Sequence, residues 1–212
     1  IRDHCVTGVQ TCALPIFMKQ IKKVNDSHIK EIFNLDNEVY TSNNNVSLEK
    51  NLQWHKANPD CYIVIREKDK LIGYFNFIPV KDAFFEKLKT GEASDHDLSK
   101  DDILMFENNN VYNIFILSIV IRKEFQDKET ILRIYKGFFK KLYQLAKKNM
   151  FVNNIVAHVV SEDGEKVAKK TFNLEYLKDI DIGDKIFFGK INFEGFKKTK
   201  FLNKLIKLYS KK

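Results

Sequence analysis

Cysteine and proline are scarce in this chain of 212 residues, at three each, and glycine occurs only eight times. So few cysteines exclude a disulfide-built scaffold, and so little proline and glycine excludes collagen-like and low-complexity chains. No stretch approaches the roughly 18 uninterrupted apolar residues that a membrane-spanning helix needs. A Walker loop, zinc-ligand spacing and a Ser-His-Asp order are also missing. What is there suits a packed core: 44% of residues are hydrophobic and 13% aromatic, with Phe alone at 18. The length fits one large domain or two small ones. Lys and Arg (36) outnumber Asp and Glu (28), so the formal charge of +8 favours anionic partners without naming one.

The first residues stand apart. Val6 to Ile16 read VTGVQTCALPI, a string that resembles the translation of a short-read sequencing adapter. It carries neither helical nor strand periodicity. As the apolar run of a signal peptide behind Arg2 it is too short, and too polar at Thr7, Gln10 and Thr11. The natural chain is therefore expected to start near Met18. Without Cys5 and Cys12, Cys61 is its only cysteine, which leaves no intrachain disulfide or thiolate cluster, and the expected compartment is the cytosol.

From Met18 the pattern is regular. Met18–Val24 reads as a strand, and Asn25-Asp26-Ser27 offers caps for a helix bearing Ile29, Ile32, Phe33 and Leu35. After the polar break Thr41–Val46, Ser47 caps a second helix that ends at Asn58-Pro59. Cys61–Arg66 and Leu71–Val80 are spaced as a hairpin. Lys81–Asn110 is polar and acidic, with a short helical piece at Phe84–Leu88, and reads as an insertion across the surface. Val111–Arg122 is the most apolar segment and predicts a central strand buried on both faces. Gln126 or Asp127 caps a helix that carries Ile131, Ile134, Tyr135, Phe138, Leu142, Leu145 and Ala146 on one face. Ile155–Val160 is a strand, Ser161 caps a helix over Glu162–Phe172, and Tyr176–Ile182 and Lys185–Ile191 are two more strands. That order belongs to a mixed α/β sheet with helices on both faces.

This succession resembles the GNAT superfamily of N-acetyltransferases from Met18 to about Ile191. Three segments carry the likeness. Ile119-Val120-Ile121-Arg122-Lys123-Glu124-Phe125 is similar to the family's strand-to-turn segment. Gln126-Asp127-Lys128-Glu129-Thr130-Ile131 stands where the family has [Arg/Gln]-x-x-Gly-x-[Gly/Ala]. Ala168 to Leu174 looks like the last helix and its exit. The resemblance implies a mostly antiparallel sheet with a gap between strands Val111–Ile121 and Ile155–Val160. It also implies acetyl-CoA as acyl donor and an amine as acceptor.

By the same resemblance, backbone groups of Ile119, Val120 and Ile121 would pair with the pantetheine arm. Successive N–H groups from Gln126 to Ile131 would hold the pyrophosphate at a helix N-terminus, where dipole and donors favour an anion. Gln126 matches the family pattern. Glu129 replaces its glycine, Ile131 replaces its small residue, and Asp127 adds a second carboxylate that Arg122, Lys123 and Lys128 offset in part. The loop is degenerate, so a GNAT-fold binding or scaffold protein without CoA binding is the alternative to an enzyme.

Acyl transfer needs a proton acceptor for the amine and an acid for the leaving thiolate. The family often draws its acid from a tyrosine in the last helix. Phe172 or Lys169 falls at that place here, and the nearest phenol is Tyr176. Glu107 and Asn113 flank the start of the central strand, with Glu107 the candidate base. Asp95-His96-Asp97 reads as a solvated loop rather than a metal site, His158 as a bonded core residue, and Cys61 as a buried inert thiol. The tail Phe196–Lys212 carries seven lysines and no acid. Lys200, Lys204, Lys207 and Lys211 fall on one helical face, opposite Phe201, Leu202, Leu205, Leu208 and Tyr209. Such a helix docks on the body, lies on an anionic membrane, or touches nucleic acid.

Overall fold

The computed structural model describes residues 18–40, 46–180, 184–194, 196 and 198–212. The adapter-like segment, the break at 41–45 and the end of the strand expected over Tyr176–Ile182 lie outside the described residues, wholly or in part. The chain order is β1 (Met18–Gln20), α1 (Asp26–Val39), α2 (Leu48–Ala57), β2 (Tyr62–Glu67), β3 (Lys70–Val80), α3 (Asp82–Thr90), β4 (Val111–Ile121), α4 (Lys128–Ala146), β5 (Phe151–Val159), α5 (Glu162–Lys166), β6 (Glu175–Asp179), β7 (Lys185–Lys190) and α6 (Lys200–Tyr209). The strands form one seven-stranded sheet in the order β1-β2-β3-β4-β5-β7-β6. Only β4 and β5 run parallel, joined by α4 as crossover.

Local chemistry explains the boundaries. Asn25 caps α1 by accepting from the His28 N–H, and His28 returns a bond to the Asn25 N–H. Ser47 caps α2 and Asp127 caps α4, each satisfying a donor that the first helical turn leaves free. Gly91 ends α3 in the left-handed conformation, at φ 72°. Ser161 caps α5, which passes into a π turn over Val167–Thr171.

Two cores flank the sheet. One gathers Ile134, Phe138, Leu142 and Ala146 of α4, with Phe172, Leu202 and Leu205, against Ile63, Phe75, Phe77 and Ile155. Here α4 lies so close to β2 that a Cβ on Gly137 would stand 2.5 Å from Ile63 Cγ2. The other gathers Ile29, Ile32 and Leu35 of α1 and Trp54 of α2 over Val64, Tyr74 and Ile78.

Two expectations need correction. The segment 81–110 is not confined to the surface: Phe84, Phe85, Leu88, Ala93, Leu98 and Ile103 are buried in the second core, and the Trp54 indole N–H donates to the Leu98 carbonyl at 3.0 Å. The central strand is not buried along its whole length, because Leu117, Ser118 and Ile119 are half-exposed. As for the tail, α6 packs on the core through Leu202 and Leu205, and Lys200, Lys204, Lys207 and Lys211 stay exposed. Among the described residues no helix is long and apolar enough to cross a membrane.

Candidate functional site

The sheet opens between its two parallel strands. β4 pairs with β5 from Val111↔Phe151 to Ile116↔Ala157 and no further. Beyond that point β4 continues with β3, to Ile121↔Gly73, while β5 continues with β7, to Val159↔Lys185. A bulge assists the parting: Phe77 faces Ile116 and Asn76 faces Ser118, so Leu117 is an extra residue on β4.

Backbone alternation fixes which groups face the gap. The Arg122 N–H donates to the Ile72 carbonyl at 2.9 Å, so residue 122 presents its polar groups to β3. With a period of two, Ile119 and Ile121 present theirs to the side that β5 has left. That side of β4 could pair with an extended ligand chain, which is the fit a pantetheine arm requires.

The loop beyond is already furnished. Gln126 Nε2 donates to the Ile121 carbonyl at 3.0 Å. Asp127 Oδ1 accepts from the Thr130 N–H at 2.8 Å, and the buried Thr130 Oγ1 lies 3.2 Å from Asp127 Oδ2. These bonds hold the Asp127 carboxyl below its ordinary range. Glu129 Oε1 pairs with Arg133 one turn on, 2.5 Å from Nη2. Arg122 is engaged with Glu38 and with the Leu71 carbonyl, and Glu124 pairs with Lys70 at 2.7 Å. Lys123 and Lys128 are exposed beside the loop, and Ile131 packs on the first core. The strand side of the gap thus suits a CoA arm, whereas the helix N-terminus carries its own carboxylate where a phosphate would sit.

The proposed acid and base are not brought to this gap. Tyr176 is exposed on edge strand β6, its ring against Phe187, and β7 and β5 separate it from β4. Phe172 is buried among Phe75, Phe138 and Tyr135, and Lys169 pairs with Glu165. Glu107 precedes the other end of β4, where its carbonyl accepts from the Tyr112 hydroxyl at 3.1 Å. Even Asn113, bonded to Asp82 and Asn154, lies roughly 20 Å from Ile119 at the rise of a strand. The carboxylate and the phenol expected from the sequence therefore stand at the far end and the far edge of the sheet from this gap.

The remaining candidates are structural. His158 donates through Nε2 to the Leu88 carbonyl at 2.9 Å, tying β5 to α3, and burial pushes its pKa down. Cys61 is buried, which pushes its thiol up. Asp97 accepts from the Ser94 N–H at 2.8 Å in a local turn.

Sequence reasoning missed a polar row on the α1 side of the gap. Tyr62, Asn76 and Ser118 are consecutive cross-strand partners on β2, β3 and β4. Next to them the Tyr74 hydroxyl, on β3, donates to Asp36 Oδ1 of α1, and Ser118 lies beside the same hydroxyl. Desolvation raises the Asp36 carboxyl to about 7, against a smaller opposing effect of the Tyr74 bond. Burial, and then the Asp36 charge, push Tyr40 up to about 12. Among the described residues the buried Tyr62 hydroxyl and Asn76 Oδ1 complete no hydrogen bond.

No protein-family profile matches the chain, and no curated protein matches it by sequence. Solved structures do. Arabidopsis thaliana Naa50, in complex with the bisubstrate analogue CoA-Ac-MVNAL, superposes with a TM-score of 0.52 at 11% identity, over 83% of this chain and 99% of that one. The loading GNATL domain of CurA from Lyngbya majuscula gives 0.51 at 13%, over 69% and 67%. The putative acetyltransferase yncA of Salmonella typhimurium, with its cofactor acetyl-CoA, gives 0.50 at 11%, over 82% and 94%. The fold is that of the GNAT acetyltransferases, as the order of elements implied.

Proposed function

We propose that this chain is an N-acyltransferase that moves an acyl group from an acyl-CoA, acetyl-CoA foremost, to an amine. One observation carries the reading: β4 and β5 part after Ile116↔Ala157, and the backbone of Ile119 and Ile121 faces the space between them. Those groups, with Val120 between them, would hold the pantetheine arm as if it were a strand. The turn Gln126, Asp127, Lys128, Glu129, Thr130 and Ile131 would lie at the phosphates, with Lys123 and Lys128 supplying positive charge. Bound acetyl-CoA supplies an activated acyl group. The chain's part is to orient the donor along β4 and to receive the proton that the amine gives up. The cytosol, where acetyl-CoA and free amines coexist, is the matching compartment.

A second reading has its own support. Asp127 on the Thr130 N–H and Gln126 on the Ile121 carbonyl fill groups that a CoA would use. A fold closed in this way would serve as a binding or scaffold module.

Calorimetric titration with acetyl-CoA separates the two. The enzyme reading expects saturable binding by the unaltered chain. Glu129→Gly should tighten it about threefold to fivefold, by removing a carboxylate from the first helical turn. Asp127→Gly should do at least as much, because it also frees the Thr130 N–H. Unchanged or weaker affinity in folded variants would show that this loop holds no phosphate. Absence of heat at millimolar acetyl-CoA in all three proteins would leave the second reading.

A further inference from the structure

The gap in the sheet has a polar flank whose parts the candidate site does not otherwise use. Asp36 lies in the last turns of α1, half-buried, and no ion pair holds it among the described residues. Its side chain accepts from the Tyr74 hydroxyl, beside which Ser118 lies. Ser118 sits between Leu117 and Ile119, on the stretch of β4 that β5 has left and that is half-open to solvent. A polar line therefore runs from the gap to a carboxyl group: Ser118, then Tyr74, whose hydroxyl is hydrogen-bonded to Asp36. Behind it Asn76 Oδ1 and the Tyr62 hydroxyl are buried and complete no hydrogen bond among the described residues, although most buried polar atoms find one. A carboxylate, an amide oxygen and hydroxyl oxygens are all acceptors, and a ligand rich in N–H donors would complete them.

We propose that Asp36 is the seat for the acceptor's amino group: it binds a primary ammonium beside Ser118 and takes a proton from it. This rests on the N-acyltransferase reading and assigns that site its acceptor class, a primary amine, and its base. In the step R–NH3+ and the Asp36 carboxylate become R–NH2 and the Asp36 carboxylic acid. The nitrogen keeps the electron pair of the broken N–H bond as its lone pair, and the proton joins a carboxylate oxygen. Ser118 and the Tyr74 hydroxyl orient the carboxyl group. The titratable groups around Asp36 are Tyr40 on α1, Tyr62 on β2 and Tyr74 on β3, with the Glu38–Arg122 pair closing the end of α1. The three phenols are all held above their ordinary range, so they stay neutral while Asp36 titrates.

The test follows the Asp36 carboxyl by carbon NMR across pH, with and without n-butylammonium chloride, and with tetramethylammonium chloride as a cation lacking N–H groups. A midpoint at about 7 is expected in the free protein. Millimolar butylammonium should lower it by one unit or more, a tenfold change in proton affinity, and tetramethylammonium should not. Tyr74→Phe should raise the free midpoint, because the lost bond favoured the charged form. Butylammonium that leaves the Asp36 midpoint in place would overturn the proposal.

Thiol release from acetyl-CoA with butylamine gives the second arm. Asp36→Asn should reduce kcat/KM about 100-fold or more and abolish the limb that rises through neutral pH. If Asp36→Asn keeps both rate and limb, the proposal falls while the enzyme reading stands. If the protein releases no thiol yet butylammonium still shifts Asp36, the enzyme reading falls and the ammonium seat stands.

Discussion

Raising the pH from about 5 to about 8 should weaken the fold through one residue, and Asp36→Asn should remove that weakening. The ordinary carboxyl titrates at 3.8, whereas folding raises Asp36 to about 7. Below 3.8 both states hold the proton and Asp36 has no effect on stability. Between the two values the unfolded chain has released the proton and the folded chain has kept it. Unfolding then releases a proton, so stability falls as pH rises and levels off only above 7. Each pKa unit corresponds to about 1.4 kcal/mol. Discounted for the partial exposure of the carboxyl, the loss should be about 2 to 3 kcal/mol. Asparagine keeps an acceptor for the Tyr74 hydroxyl and carries no charge at any pH. Urea unfolding of both proteins across the range checks this. The variant should gain on the unaltered protein as pH rises and exceed it at pH 8, and parallel curves would show that Asp36 is not desolvated. A residue whose ionised form costs stability, held beside an open strand, is what a stability-for-function exchange looks like.

The other large effect lies in the first core. Phe138 is fully buried, and its ring lies 4.8 Å from Phe75, 5.0 Å from Phe77, 5.8 Å from Phe139 and 5.9 Å from Phe172. It joins α4 to the middle of β3 and to the residue that follows the π turn. Phe138→Ala should cost about 4 kcal/mol, from lost transfer free energy and the cavity left among rings that cannot collapse. Phe138→Leu should cost about 1 to 2 kcal/mol. Denaturant midpoints at constant slope measure both. A cost near 1 kcal/mol for the alanine would show that the aromatic cluster repacks, and that α4 is held to the sheet by other contacts. Because α4 begins at the loop beside the gap, the same substitution should weaken acetyl-CoA binding.

Much of this architecture was legible in the sequence. Asn25, Ser47, Asp127 and Ser161 each announce a helix start, and each makes its capping bond. Alternation and apolar runs gave β2 to β5 and β7 to within a few residues, because one or both faces of each are buried. The segment 81–110 misled because Leu98 stands singly among polar neighbours and Ile103 heads an apolar run of only four residues, Ile103–Phe106, too short to show a period, and only tertiary contact shows them buried. The parting of β4 and β5 is a matter of pairing register, which neither strand encodes by itself. Glu107 and Tyr176 carry suitable chemistry, but position along a strand and order within a sheet set their place. Asp36 was invisible for the converse reason. In α1 it reads as an ordinary helical carboxylate, and its environment comes from Tyr74, 38 residues away, and from Ser118 on β4.

The most direct measurement is thiol release from acetyl-CoA, followed with a panel of primary amines and with tertiary amines as controls, from about pH 5 to about pH 9. Release should require a primary amine, saturate in acetyl-CoA, and rise through neutral pH as Asp36 loses its proton. Saturable acetyl-CoA binding with no amine-dependent release from any member of the panel, or release unchanged by Asp36→Asn, would contradict this expectation.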